Sequence, residues 1–399
     1  MQAPPSKSFA QRAIAIAAMA GGRSEILLPG SSDDVCAAIN VVRQLGAGVE
    51  KSAGSVLISG GMKVPGEPLD CGEAGLSIRM FSSIAAVFDK PVTLTGEGSL
   101  LTRPMGVVED SLKAMGVQCE TSEGYLPLTV HGPIRGGIVM VDGAFSSQVL
   151  TGMLIAAPYA ENDMIIRVQD LKSRPYIDIT LDVMKSFGVE AENNDYNEFF
   201  VRSRQMYSPE RYMVEGDWSA AAFLLVAGAI SGQVTVENID TRSPQADKMI
   251  LEALDSAGAD FSFGQDSVSV NKSNLRGFKF DATHCPDLFP PLVCLASFAK
   301  GETRIRGAGR LIHKESNRAG TLKEEFGKMG IKVTIDGDEM IVSGGTCKGG
   351  SVFSHGDHRI AMACAIAALG SEGEVEIEGA EAVAKSYPGF YEDIERLMV

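Results

Sequence analysis

Apolar positions repeat along this chain with an even period. Six segments share one pattern: a turn, a helix-length run of small apolar residues, a Gly, then a β-branched strand. Two examples are PPSKSFAQRAIAIAAMAGGRSEILL and GDHRIAMACAIAALGSEGEVEIEGA. The segments begin near Pro4, Gly72, Gly143, Gly216, Cys285 and Gly356, so successive starts lie 68, 71, 73, 69 and 71 residues apart. That regularity over 399 residues implies one supersecondary unit used six times. A second half recurs as well, as in LDVMKSFGVEAENNDYNEFFV and LKEEFGKMGIKVTIDGDEMIV. It predicts an amphipathic helix closed by Gly, then two strands of alternating polarity around a polar turn. One unit therefore reads helix, strand, helix, strand, strand, after a strand handed on by the unit before.

Three units fill residues 7–213 and three fill 214–399, with residues 1–6 assigned to the second group. The polar stretch SRQMYSPERYMVEGD marks the boundary. A chain this long divides into domains rather than growing one core. Runs such as AAAFLLVAGAI lack a polar face and predict buried inner helices. If the inner helices of a domain run parallel, their N-termini share one face. Backbone N–H groups and the helix dipole favour anions there. Two such faces across a hinge would form an anion-attracting cleft.

The formal net charge of −15 argues against nucleic acid and against an anionic membrane surface as partners. Seven cysteines without a CxxC pair suggest buried thiols in a reducing cytoplasm, not a disulfide framework or zinc site. No apolar run approaches the ~20 residues of a membrane span, and the MQAPPSKS start lacks a signal pattern. No exposed aromatic stripe suggests a subunit interface, so a monomer is the expectation.

Polar residues gather at the predicted helix starts. They are Lys7, Ser8 and Arg12; Gly75, Ser77 and Arg79, with Arg103 in the loop that follows; Ser146, Ser147 and Gln148; Ser173, Arg174 and Tyr176. The later units add Asp287, Lys314, Glu315, Arg318, Asp357, His358, Arg359 and Lys385. Singly each has an ordinary reading: an N-cap Ser, a solvated Arg, a structural His. Lys314 and Arg318 say more. On one helix face they repel by roughly 0.2–0.5 kcal/mol unless an anion sits between them. Nine cations at helix starts in an acidic chain point to anionic ligands. Arg forks hold carboxylates, hydroxyl and backbone donors hold phosphate, and Asp287 or Glu315 can move protons. No Walker loop, GxGxxG, metal-ligand spacing or GxSxG elbow is present. The residues thus describe a cofactor-free, metal-free transferase acting on two small anions.

PPSKSFAQRA, GEAG, TRPMG, SSQ, SRPYID, GDWSAAAF, PDLFP, KESNR, GDHRIAMA and AKSYPGF occur in an order and spacing that resembles the 5-enolpyruvylshikimate-3-phosphate (EPSP) synthase family over nearly the whole chain. The resemblance implies an α/β fold: two inside-out α/β barrel domains, each of three βαβαββ units with pseudo-threefold symmetry, and an active site in the cleft between them. It implies transfer of the enolpyruvyl group of phosphoenolpyruvate to the 5-hydroxyl of shikimate 3-phosphate, releasing phosphate on the route to chorismate and aromatic amino acids. By resemblance, Ser146, Ser147, Ser173 and Lys314 hold the shikimate phosphate, and Arg12, Ser8 and Tyr176 serve its carboxylate end. Asp287 bonds the ring hydroxyls. Lys7, Arg103, Gln148 and Lys385 surround the phosphate of phosphoenolpyruvate, with Gly75 close by, while Arg318 and Arg359 clamp its carboxylate. Lys7, Asp287, Glu315 and His358 are the catalytic candidates.

Departures from the family pattern are Glu73 for the usual Asn, Leu76 for Thr, Met80 for Pro, and Asn317 for the Asp of KESDR. The first three surround the phosphoenolpyruvate pocket and bear on the response to glyphosate, the family's herbicide inhibitor. Few residues precede PPSKS, so the first strand is expected to be short. The nearest rival is UDP-N-acetylglucosamine enolpyruvyl transferase, whose loop Cys has no counterpart in Ser99–Thr102. RNA 3′-phosphate cyclase shares the unit but calls for a nucleotide site. A non-catalytic anion-binding protein on this scaffold would keep the Ser and Arg ligands without the proton-transfer groups.

Overall fold

A computed structural model describes residues 1–144, 146–312 and 314–397. The chain divides into two compact units: Pro5–Val214, and Met1–Pro4 together with Glu215–Val399. Pro5, Ser6 and Val214 thus lie on the other side of the boundary read from composition.

In Pro5–Val214 the helices Lys7–Met19, Gly75–Ala85 and Ser147–Ala156 carry the small apolar runs. From Phe9 to Met19 every residue is buried, and Leu76–Ala85 is buried throughout. Hydrogen bonds tie these helices at their starts: Ser77 Oγ donates to Gln11 Oε1 (2.9 Å), and Arg12 donates to Thr151 Oγ1 (3.2 Å). The amphipathic helices Asp33–Gln44, Gly106–Ala114 and Pro175–Ser186 bury one face against the same core.

Three four-stranded sheets complete this unit, and each has the same order. A parallel incoming strand pairs with the strand after the inner helix, which pairs antiparallel with a hairpin. In the third sheet Gly137–Asp142 runs parallel to Met164–Gln169, and the hairpin is Ala191–Asn194 with Glu198–Val201. In the first sheet the incoming strand is Arg211–Met213, parallel to Arg23–Leu27, so the last strand of the unit closes onto its first sheet. The hairpin between Gln118–Ser122 and Tyr125–His131 turns on Glu123 and Gly124, both with positive φ (53° and 86°). That is the backbone a two-residue turn needs to match strand twist.

The second unit repeats the scheme with inner helices Trp218–Ser231, Phe289–Ser297 and His358–Ala368, packed pairwise on one another. Every residue of Ala220–Ile230 is buried, as the lack of a polar face requires. Asp217 and Asp357 cap two of these helices, accepting from the backbone N–H of Ala220 (3.0 Å) and Arg359 (3.0 Å). Two of its sheets are smaller than the repeat predicts. The sheet of Val234–Glu237 has three strands, and its parallel neighbour is a single bridge from Gln2 to Glu237. The sheet of Gly350–Phe353 and Val375–Glu378 has two, because the chain goes on into the helix Phe390–Leu397 where earlier units form a hairpin. No helix among the described residues is long and apolar enough to cross a membrane.

Candidate active site

The predicted site residues fall into two groups, one in each unit. In Pro5–Val214 the first is built around Arg12. It sits one turn into helix Lys7–Met19, is 1% exposed, and donates to Thr180 Oγ1 (2.9 Å), Thr151 Oγ1 (3.2 Å) and the carbonyls of Ser8 (2.7 Å) and Tyr176 (3.2 Å). All its partners are neutral; no carboxylate among the described residues pairs with it. Burial pushes its pKa down to about 10. A buried cation without a counter-ion is costly and stands ready for an anion. Tyr176 and Ser173 belong to the same corner: Ser173, at φ +55°, leads into helix Pro175–Ser186. Lys7, at the start of Arg12's helix, pairs with Asp34 at 2.7 Å.

Beside this lies a second cationic spot. Arg79 donates to the carbonyl of Gly75 (3.0 Å) and to Gln148 Oε1 (3.1 Å). Arg103 rests over Gly75: a Cβ there would lie 2.6 Å from its Nη1. A side chain at Gly75 would push that guanidinium aside. Ser146 caps helix Ser147–Ala156, accepting from the N–H of Gln148 (3.2 Å), and Ser147 is buried in its first turn. Ser146 is thus an N-cap, as its ordinary reading has it.

In the other unit, cations converge on Asp287, just before helix Phe289–Ser297. Asp287 Oδ1 accepts from Arg318 (2.9 Å) and Lys314 (3.2 Å), and Arg359 lies 3.3 Å from Oδ2. Burial alone would raise this carboxyl; Arg359, Lys314 and Arg318 overcome it and hold Asp287 well below the usual carboxylate range. Arg318 is fully buried and also pairs with Asp357 (2.9 Å) and Glu315, a set that outweighs desolvation and raises its pKa. Lys314 is pushed below its ordinary value by burial, against the pull of Asp287.

One expectation is corrected here. Lys314 and Arg318 do not share a helix face. The helix starts at Arg318, because Asn317 has non-helical backbone (φ −69°, ψ 75°) and its side chain accepts from the N–H of Gly320. Lys314 and Glu315 precede the helix in the loop. The negative group their charges called for is Asp287.

His358, fully buried, meets Nη1 of Arg359 through Nε2 at 3.1 Å. A guanidinium accepts no hydrogen bond, so Nε2 is the acceptor and the ring proton lies on Nδ1. His358 thus orients Arg359. Lys385 ends the short turn Ala380–Lys385 packed on helix His358–Ala368 and is 8% exposed.

The family model described as EPSP synthase (3-phosphoshikimate 1-carboxyvinyltransferase) matches residues 1–394. The chain belongs to the EPSP synthase family. Proteins named 3-phosphoshikimate 1-carboxyvinyltransferase from Clostridium kluyveri and Methanocorpusculum labreanum are each 38% identical to it. The matches cover 99% and 100% of this chain and 93% and 95% of those proteins. An EPSP synthase structure from Acinetobacter baumannii superposes with a TM-score of 0.84 at 28% identity, covering 99% of this chain and 94% of that one.

Within this EPSP synthase fold several residues were not singled out from sequence. Asp34, Thr151 and Thr180 hold Lys7 and Arg12. Asp34 was hidden because Asp33-Asp34 at a helix start reads as dipole compensation. Asp247 carried no signal, lying in the short 3₁₀ turn Ala246–Met249, outside the motifs read from sequence. It is 2% exposed and accepts from Ser219 Oγ. Burial, then the charge of Asp287, push its pKa up to about 7.

Proposed function

We propose that this chain transfers the enolpyruvyl group of phosphoenolpyruvate to the 5-hydroxyl of shikimate 3-phosphate, releasing phosphate. Family membership over the full length supports the reaction. The observation that carries the site is Arg12, a buried cation whose hydrogen-bond partners among the described residues are all neutral. It awaits a carboxylate, which the shikimate ring supplies, with Ser8 and Tyr176 alongside. Ser146, Ser147, Ser173 and Lys314 take the shikimate phosphate. Lys7, Arg103, Gln148 and Lys385 take the phosphate of phosphoenolpyruvate beside Gly75, and Arg318 and Arg359 take its carboxylate.

In the reaction the 5-hydroxyl oxygen bonds to C2 of the enol while the C3 methylene gains a proton and becomes methyl. Glu315, in its protonated form, supplies that proton; Asp287, or Lys7 in its neutral form, accepts the one lost by the hydroxyl. Asp287 is a weak base, held low by Arg359, Lys314 and Arg318. A substrate carboxylate competes for both arginines, loosens that hold and makes Asp287 more basic. The tetrahedral adduct then breaks its C2–O bond to phosphate, which leaves with the bonding pair, and the methyl group returns a proton to restore the double bond. Phosphate leaves by C–O cleavage, not in-line phosphoryl transfer, so the reading calls for no metal and no cofactor. His358 acts as a positioning residue through Arg359.

The recurring strand order supports reading each unit as an inside-out α/β barrel of three βαβαββ repeats, with sheets trimmed at Val234–Glu237 and Gly350–Phe353. The enzyme is read as a cytoplasmic monomer acting on small molecules. A coupled assay for inorganic phosphate tests the activity. Release should require both substrates together. Release with UDP-N-acetylglucosamine in place of shikimate 3-phosphate, or none with either acceptor, overturns the reading.

A further inference from the structure

Glu73 lies two residues before Gly75, exposed on the surface, and its carboxylate is engaged. Glu73 Oε2 accepts from Ser99 twice, from the backbone N–H (3.1 Å) and from Oγ (2.9 Å). Next to it, the carbonyl of Gly72 accepts from the N–H of Glu97 (2.8 Å). These three bonds fasten the short turn Gly98–Thr102 to the segment leading into helix Gly75–Ala85. Gly98 makes the contact possible. Its φ is +51°, and a Cβ there would lie 2.4 Å from Oε1 of Glu73. Leu100, fully buried, anchors the turn from beneath.

Arg103 is the next residue after this turn. Its N–H donates to the carbonyl of Leu100 (3.2 Å), Thr102 Oγ1 donates to the carbonyl of Ser99 (3.0 Å), and Arg103 Nη2 reaches Ser99 Oγ at 3.5 Å. The guanidinium lies over Gly75 and is 6% exposed. One short stretch therefore supplies both the bare backbone under Arg103 and the carboxylate that fixes the turn carrying it. We propose that Glu73 is a positioning residue: through Ser99 it holds the Gly98–Thr102 turn, and so holds the Arg103 guanidinium in register over Gly75. Its functional consequence rests on the reading above, in which Arg103 binds the phosphate of phosphoenolpyruvate. A loosened turn costs affinity for that substrate first, because the ordering of Arg103 must then come from binding.

The test pairs Glu73→Ala with Glu73→Gln, whose amide oxygen still accepts from Ser99. Glu73→Ala should raise KM for phosphoenolpyruvate roughly threefold to tenfold, the loss of charge-assisted bonds at an exposed site. Its kcat and its KM for shikimate 3-phosphate should stay within about twofold, and Glu73→Gln should recover most of the loss. An unmoved KM, equal rises in both KM values, or no recovery in Glu73→Gln overturns the proposal. Backbone amide exchange over Glu97–Arg103, which needs no substrate, separates this from the functional reading. Exchange at Ser99 should quicken in Glu73→Ala and stay slow in Glu73→Gln whether or not the enzyme turns over these substrates. Equal exchange in all three proteins refutes the latch itself.

Discussion

Replacing Arg12 with Met should separate stability from function. Arg12 is buried and its pKa is pushed down to about 10 by desolvation. For a cation whose folded pKa lies below its unfolded one, the folded state is penalised at every pH below the folded value. At neutral pH that penalty is full, roughly 3 kcal/mol from the size of the shift. Met removes it and keeps an unbranched chain of similar reach. It also removes four hydrogen bonds, each worth about 0.5–1.5 kcal/mol net. The acceptors are not stranded: Thr151 and Thr180 bond each other (3.0 Å), and Thr180 still donates to the Tyr176 carbonyl (2.9 Å). Gain and loss are of similar size, so unfolding free energy should change by less than roughly 3 kcal/mol. On the proposed reading, in contrast, the substrate carboxylate loses the buried counter-charge that Arg12 supplies. Two charge-assisted bonds are worth roughly 3–6 kcal/mol together, so kcat/KM for shikimate 3-phosphate should fall about a hundredfold or more. Urea unfolding and phosphate release with shikimate 3-phosphate varied measure the two halves. A stability loss above about 4 kcal/mol, or a kcat/KM within roughly threefold of wild type, refutes the reasoning.

Arg318→Met should behave oppositely, because it takes one buried guanidinium from three carboxylates, leaving Asp287 to Lys314 and Arg359 and Asp357 to its helix cap. A loss of roughly 3–5 kcal/mol in urea unfolding is expected, and a change below about 1 kcal/mol would show the network contributes little. Asp247→Asn should stabilise the protein in a pH-dependent way. The carboxyl holds its proton up to about pH 7 when folded but only to about 4 when unfolded, so the folded state binds the extra proton between those values. Wild-type stability is therefore eroded as pH rises from 4 to 7. The advantage of Asn should grow over that window to roughly 2–4 kcal/mol and level off above it, whereas a pH-independent difference would place the titration elsewhere. Lys7→Met and Glu315→Gln should each lower kcat at saturating substrates by about a hundredfold, the usual scale for a lost proton-transfer group. Near wild-type turnover in either variant removes that residue from the chemistry.

The repeat and the burial of the inner helices were legible in sequence because both follow from where the apolar residues fall along the chain. A run such as AAAFLLVAGAI has no polar face, and the structure buries every residue of Ala220–Ile230. The helix-start cations were legible for the same reason: charge at those positions has no packing role. What such patterning does not encode is pairing over long sequence distances. Arg12 meets Thr151 and Thr180 across more than a hundred residues, and Asp247 acts on the Asp287 cluster from the short 3₁₀ turn Ala246–Met249. Sequence alone begins the helix of Arg318 one turn too early, at Lys314, because the Asn317 cap, a matter of one side-chain bond, decides where it starts. The trimmed sheets went unread because a repeat seen five times invites a sixth, while the chain after Val375–Glu378 forms the helix Phe390–Leu397 with no hairpin.

The most direct test of the account follows the bridging oxygen of phosphoenolpyruvate. With a heavy-oxygen label in the C–O–P bridge and shikimate 3-phosphate as acceptor, mass spectrometry of the products reads which bond breaks. Attack at C2 and loss of phosphate from a tetrahedral adduct predict that all of the label leaves in inorganic phosphate and none enters the enolpyruvyl ether. Label retained on the organic product would mean that the P–O bond breaks instead, and the roles given to Glu315, Asp287 and the arginines would fall with it.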